Sequence, residues 1–171
     1  MNLYTKKINA ASEWLGNAMG LFTLIMVLLM AAIVILRYGF DVGTVAMQEG
    51  VLYLHGAALL LGAGYTLKHD DHVRVDVFYR SVTARTQHLT NFIGHLFLLM
   101  PVVVFVFVMS FEYVLNSWDM METSPEPGGL AFVYIQKSLL LLFCVCLFIQ
   151  ALAMMINDFV AFRQLSHKGA R

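Results

Sequence analysis

The residues best equipped for chemistry crowd into one stretch, Leu67–Arg80, LKHDDHVRVDVFYR. Two histidines, three aspartates, a lysine and two arginines meet there, in a chain that is 60% hydrophobic and 13% charged. His69, Asp70, Asp71 and His72 include an i, i+3 histidine pair, which on a helix could share one metal ion. Adjacent carboxylates on a short turn rarely converge on one centre, so the stronger reading is a solvated turn holding its flanking segments at a surface. Haem ligation is the second chemistry to weigh, because His55 and His95 lie inside apolar segments. At ~1.5 Å per residue, His55 falls roughly 3 Å to the outer side of the middle of its segment, and His95 on the order of 10 Å to the inner side. Axial ligands of one haem need nearly equal depth, so both histidines read first as hydrogen-bonded packing residues. His55 keeps some weight as an intramembrane ionisable group. Cys144 and Cys146 point about 200° apart on a helix, which excludes a local metal pair and leaves inert thiols. No nucleophile–base arrangement, phosphate loop or acid pair is visible, so no catalytic residue, metal or cofactor is expected.

The elements that must carry these residues are membrane spans. Formal net charge is zero, which gives no global field for nucleic acid. Four apolar runs, about 15–36, 47–67, 89–111 and 130–156, are each long enough for a hydrocarbon core of roughly 30 Å. None carries a charge near its centre, where insertion would cost about 2.5–3.5 kcal/mol. Before them, Tyr4, Ile8, Ala11 and Leu15 recur at helical spacing with Lys6, Lys7, Ser12 and Glu13 between. That pattern predicts an amphipathic helix over 1–14 lying in the headgroup layer. The run that follows is too long for a cleaved signal peptide. The expected fold is therefore an all-α integral membrane domain over 1–171, with four transmembrane helices and an N-terminal interfacial helix.

Lys and Arg set its orientation. Lys6, Lys7, Lys68, Arg74, Arg80, Arg85, Arg163, Lys168 and Arg171 fall on one side, against Arg37 and Lys137 on the other. By the positive-inside rule both termini and the loop 68–88 are cytoplasmic, while loops 37–46 and 112–129 face outward. The outer loop carries Glu112, Asp119, Glu122 and Glu126 and no basic residue. In the inner loop, Asp76 stands where a carboxylate could cap a helix and meet its dipole.

Small residues speak to helix association. Gly16 with Gly20, and Ala58 with Gly62, form small-xxx-small steps that let backbones approach in lipid. Spans three and four, crowded with Leu, Val and Phe, read as lipid-facing or broad interface helices, with Gln150 available to bond a neighbour. Pro101 is a single kink candidate. A transport path needs polar groups at mid-depth or helices broken there. Neither is present, so the residues alone describe an accessory membrane subunit.

Three stretches together resemble one known family. They are Gln48-Glu49 opening span two with LGAG at Leu61–Gly64 near its end, HVRVD at His72–Asp76, and ETSPEPGGL at Glu122–Leu130. The chain resembles the small membrane subunit of tripartite ATP-independent periplasmic (TRAP) transporters over essentially its whole length. That resemblance implies a non-catalytic scaffold in the bacterial inner membrane. It would pair with a large membrane transport subunit in sodium-coupled import of an organic acid, which a periplasmic substrate-binding protein delivers. On this reading His72, Arg74 and Asp76 fix the turn between spans two and three. Arg37, Glu122, Ser124 and Glu126 help dock the binding protein, and Glu49 marks the outer end of span two. The rival reading is a haem- or quinone-associated anchor of a redox enzyme, which would need His55 and His95. A third, a self-sufficient carrier, would pass solute by itself.

Overall fold

The computed structural model describes residues 3–69 and 82–168. Among these residues all regular structure is helical, in four helices: α1 (Leu3–Gly39), α2 (Val45–His69), α3 (Ala84–Asp119) and α4 (Val133–Lys168). Each is long and apolar enough to cross a bilayer, which makes the chain a multi-pass membrane protein.

Local chemistry explains where the helices stop. α1 ends as the N–H groups of Phe40 and Val42 both donate to the Leu36 carbonyl, with Asp41 at φ +59°. Aspartate is among the few residues that enter this left-handed region readily. At the start of α3 the Thr83 hydroxyl accepts from the Thr86 N–H, an N-cap. At its far end Met121 sits at φ +44°. There the Met121 N–H donates to the Trp118 carbonyl and the Glu122 N–H to the Ser117 carbonyl, each at 3.0 Å. This is a Schellman closure with methionine where glycine is usual.

Two elements depart from the sequence pattern. α1 runs 37 residues without a break at the expected boundary near residue 14. At ~1.5 Å per residue it is about 55 Å long, well beyond a roughly 30 Å hydrocarbon core. An amphipathic segment and a uniformly apolar one share the same 3.6-residue period, and no proline separates them, so the helix continues. In α3, residues His95–Leu99 form a π-helical turn, and the Met100 N–H donates to the His95 carbonyl. Pro101 lies just beyond. Its ring would crowd the carbonyl four residues back in a regular α-helix, and the wider turn gives that ring room. The inserted residue also keeps His95 and Val103, eight apart, on the side that meets α4.

α4 is the centre of the bundle. It packs against α1, α2 and α3, while α1 also packs along α2. Leu67, Val103, Cys144, Leu147 and Ala151 form the buried core, three of them on α4. Ala151 and Ala153 are fully buried, which lets neighbouring helices come close. Of the two roles open to span four, lipid-facing or broad interface helix, the packing shows the second, and Gln150 does bond a neighbouring helix. Its Leu and Phe residues carry no directional signal, and its alanines decide the packing. Close approach between α1 and α2 centres on Gly16, where an added methyl would run into the Tyr65 ring. At Gly20 and Gly62 such a methyl would meet nothing within 4 Å. On α2 the face turned inward carries Ala57 and Gly64, not Ala58 and Gly62.

Candidate functional site

Polar residues gather at the two ends of the bundle. At the end formed by the starts of α2 and α4, the connection between α3 and α4 is gripped by two carboxylates. The Schellman closure of α3 turns the chain so that Glu122 falls directly over the last turn of the helix. Its Oε2 accepts from the Ser117 hydroxyl at 2.6 Å and from the Lys137 ammonium. Lys137 also lies over the Tyr113 ring, 4.1 Å from its centroid. The Lys137 ammonium, with the Ser117 hydroxyl, holds the Glu122 carboxyl below the usual carboxylate range. Beside it, the Trp118 indole N–H donates to the Ser138 hydroxyl at 2.8 Å.

Glu49, in the first turns of α2, makes the second grip. One carboxylate oxygen accepts from the Ser124 hydroxyl, the other from the Leu130 N–H at 2.6 Å. The loop closes on itself as well. The Ser124 N–H donates to the Leu130 carbonyl at 3.0 Å, and the Glu126 N–H to the Ser124 hydroxyl oxygen at 3.1 Å. Gly128 bends the loop at φ +79°. At Gly129 a Cβ would stand 2.6 Å from the Ser124 Cβ and 2.8 Å from Glu49 Oε1, so only glycine fits between loop and carboxylate. Charge-assisted hydrogen bonds of this kind are short and directional. They make residues 120–132 a shaped platform spanning α2, α3 and α4.

At the opposite end Glu13 of α1 pairs with Lys68 and accepts from, or faces, His69 Nε2 at 3.1 Å. Deeper, the Ser12 hydroxyl donates to Gln150 Oε1 at 2.7 Å, and Gln150 Nε2 donates to Asn9 Oδ1 at 3.2 Å. Asp158 of α4 lies 2.8 Å from His88 Nδ1 and 3.7 Å from His95 Nδ1, joining α3 to α4. All of these groups bind helix to helix.

A four-helix membrane bundle with one braced loop is compatible with many roles, so comparison with known families decides the class. The family description "Tripartite ATP-independent periplasmic transporters, DctQ component" matches residues 26–161. The chain belongs to this family. Comparison with curated proteins and with solved structures gives no match. As a DctQ component, the chain is part of a TRAP transporter, and the family implies a large membrane subunit and a periplasmic binding protein as its companions. The redox-anchor reading receives no support from this match.

Within this DctQ component the residues singled out from sequence fall in different places. Glu49, Ser124 and Glu122 meet at the braced loop, with Glu122 and Ser124 engaged inward. Glu126 and Arg37 are exposed. His72, Arg74 and Asp76, with Asp70 and Asp71 of the possible metal cluster, lie outside the described residues. Among the described residues no group of three metal-ligating side chains forms. His55 is exposed on α2, whereas His95 is buried between α3 and α4. Sequence reading gave no role of their own to Ser117, Gly129 and Asp158, and counted Lys137 only in setting the orientation. The signal for Lys137 was there: it is the lone cation beside an acidic loop.

Proposed function

We propose that this chain is the non-catalytic scaffold subunit of a sodium-coupled TRAP transporter of the bacterial inner membrane. It pairs with the large transport subunit, which imports an organic acid handed over by a periplasmic binding protein. Both termini are cytoplasmic, and the first turns of α1 lie in the headgroup layer, where Lys6 and Lys7 meet anionic lipid. The braced loop is then periplasmic.

The observation that carries this reading is how the polar groups are used. Ser12, Asn9 and Gln150 bind one another, as do His88 and Asp158, and Glu49 and Glu122 hold a loop. Such groups fasten elements together, as a brace requires. A carrier would instead need them arrayed around a cavity at mid-depth. The loop supports a docking role: Glu122 and Ser124 set its shape, and exposed Glu126, with Arg37 on the same end, offers charge to the binding protein. Complementary charge of this sort mainly sets encounter rate. His72, Arg74 and Asp76 are proposed to fix the turn that seats the chain on the large subunit.

Reconstitution tests the whole reading. Vesicles holding the large subunit, this chain and the binding protein should take up substrate in a sodium gradient, and omission of this chain should abolish uptake. Full uptake without it, or solute flux through it alone, would refute the scaffold role.

A further inference from the structure

Among the described residues, one face of α2 is left without a neighbour. Gln48, Leu52, His55, Leu59 and Gly62 recur at spacings of four, three, four and three, which keeps them on one narrow stripe of the helix. Leu52 and Leu59 are 59% and 65% exposed, Gln48 and His55 are exposed, and a methyl added at Gly62 would meet nothing within 4 Å. Beside the stripe a groove of about 730 Å³ runs between α1 and α2, flanked by Met26, Met30 and Val34. It has room for several side chains of a neighbouring helix.

His55 decides what belongs there. It stands ten residues into α2, about 15 Å from the helix start and so near mid-depth. An imidazole at that depth has no hydrogen-bond partner among lipid tails, and ionisable residues inside membranes face protein or a water-filled cavity. The outer groove between α3 and α4 makes a useful contrast. Val103, Val104, Phe107, Cys144, Val145 and Phe148 line it without a strongly polar group, so acyl chains can cover it at no such cost. A stripe with a heptad-like repeat, two polar residues seven apart and a glycine with open space above it fits one long helix lying nearly parallel to α2.

We propose that this stripe of α2, with the adjoining flank of α1, seats one transmembrane helix of the large subunit, which presents a hydrogen-bonding side chain to His55. The inference rests on the scaffold reading above and adds the face and the anchoring residue.

The test uses the full-length chain co-produced with its own large subunit. A photo-crosslinking amino acid at Leu52 or Leu59 should capture the large subunit, and one at exposed Val108 of α3 should not. His55→Leu should lower recovery of the large subunit roughly three- to fifteen-fold, the range of one interhelical hydrogen bond in lipid. His55→Gln should largely restore it. His55 makes no helix–helix bond within the described chain, so a folding defect is not expected; unchanged thermal unfolding of isolated H55L checks this. Capture from Val108 alone, capture of a second copy of this chain at Leu52 or Leu59, or no capture at the stripe would overturn the inference while leaving the scaffold reading intact. Undiminished recovery with H55L would overturn the role of His55. If the unmodified chain recovers no large subunit at all, the scaffold reading falls and this inference with it.

Discussion

The bond between Ser12 and Gln150 gives the sharpest quantitative test of how this bundle is held. Gln150 is 1% exposed and Ser12 8%, so neither can turn to water when its partner is lost. Interhelical hydrogen bonds in bilayers average about 0.6 kcal/mol and reach about 1.7. Ser12→Ala removes one such bond and should cost about 0.6–1.7 kcal/mol. Gln150→Leu keeps similar bulk but removes the bonds to both Ser12 and Asn9, and should cost about 1–3 kcal/mol. In the double variant the Asn9 loss is the same as in Gln150→Leu alone, so it cancels in the cycle. What remains is the Ser12–Gln150 coupling, expected at about 0.6–1.7 kcal/mol. Reversible unfolding of the purified chain in bicelles measures all four corners. A coupling within about 0.3 kcal/mol of zero would mean the two side chains do not act on each other, and that α1 is held to α4 by packing and the Gln150–Asn9 bond.

Three further outcomes follow from the same geometry. Gly16→Leu should destabilise the α1–α2 contact by about 1–3 kcal/mol through collision with Tyr65, whereas Gly20→Leu should be close to neutral in the isolated chain; equal effects would contradict that packing. Met121→Gly should raise the unfolding temperature slightly, because glycine relieves a left-handed residue costing about 1–2 kcal/mol and the methionine side chain is mostly exposed; a fall would show that the side chain matters more than the backbone. Glu122 has a folded-state pKa below its unfolded value of about 4.3, so its contribution is complete above that value and lost as pH falls through the lower one. Trp118 fluorescence should report loosening of the loop only in that acidic range, and Glu122→Gln should reduce this pH dependence, leaving the part that Glu49 carries through Ser124 and Leu130; loosening at neutral pH would assign it to another group.

The four helices were legible because long apolar runs leave the chain no alternative in a membrane. What the sequence conceals is which side of each helix faces in. In α4 every position from Leu139 to Ile156 except Gln150 is apolar, so hydrophobicity carries no direction, and the central place of this helix emerges only with Ala151, Ala153 and Gln150 packed. Glu49, Ser124 and Glu122 each drew notice from sequence as separate polar residues. Their meeting was hidden because Glu49 and Ser124 lie 75 residues apart and are joined by tertiary geometry alone. The π-helical turn is a similar case. Pro101 announces a disturbance, but the backbone absorbs it upstream, at His95–Leu99, where no residue type marks the place.

The central position of α4 bears on the order in which the protein can be made. α1 and α2 touch directly and can join as a hairpin soon after insertion. The main contacts of α3 are with α4, which follows it in the order of synthesis. Until then His95 waits in the bilayer without Asp158, and the loop that Glu49 will grip has no second anchor. Maturation of this subunit is therefore gated by α4, and a chain stalled before residue 133 should present the cell with an unfinished membrane protein whose α3 has yet to meet its main packing partner.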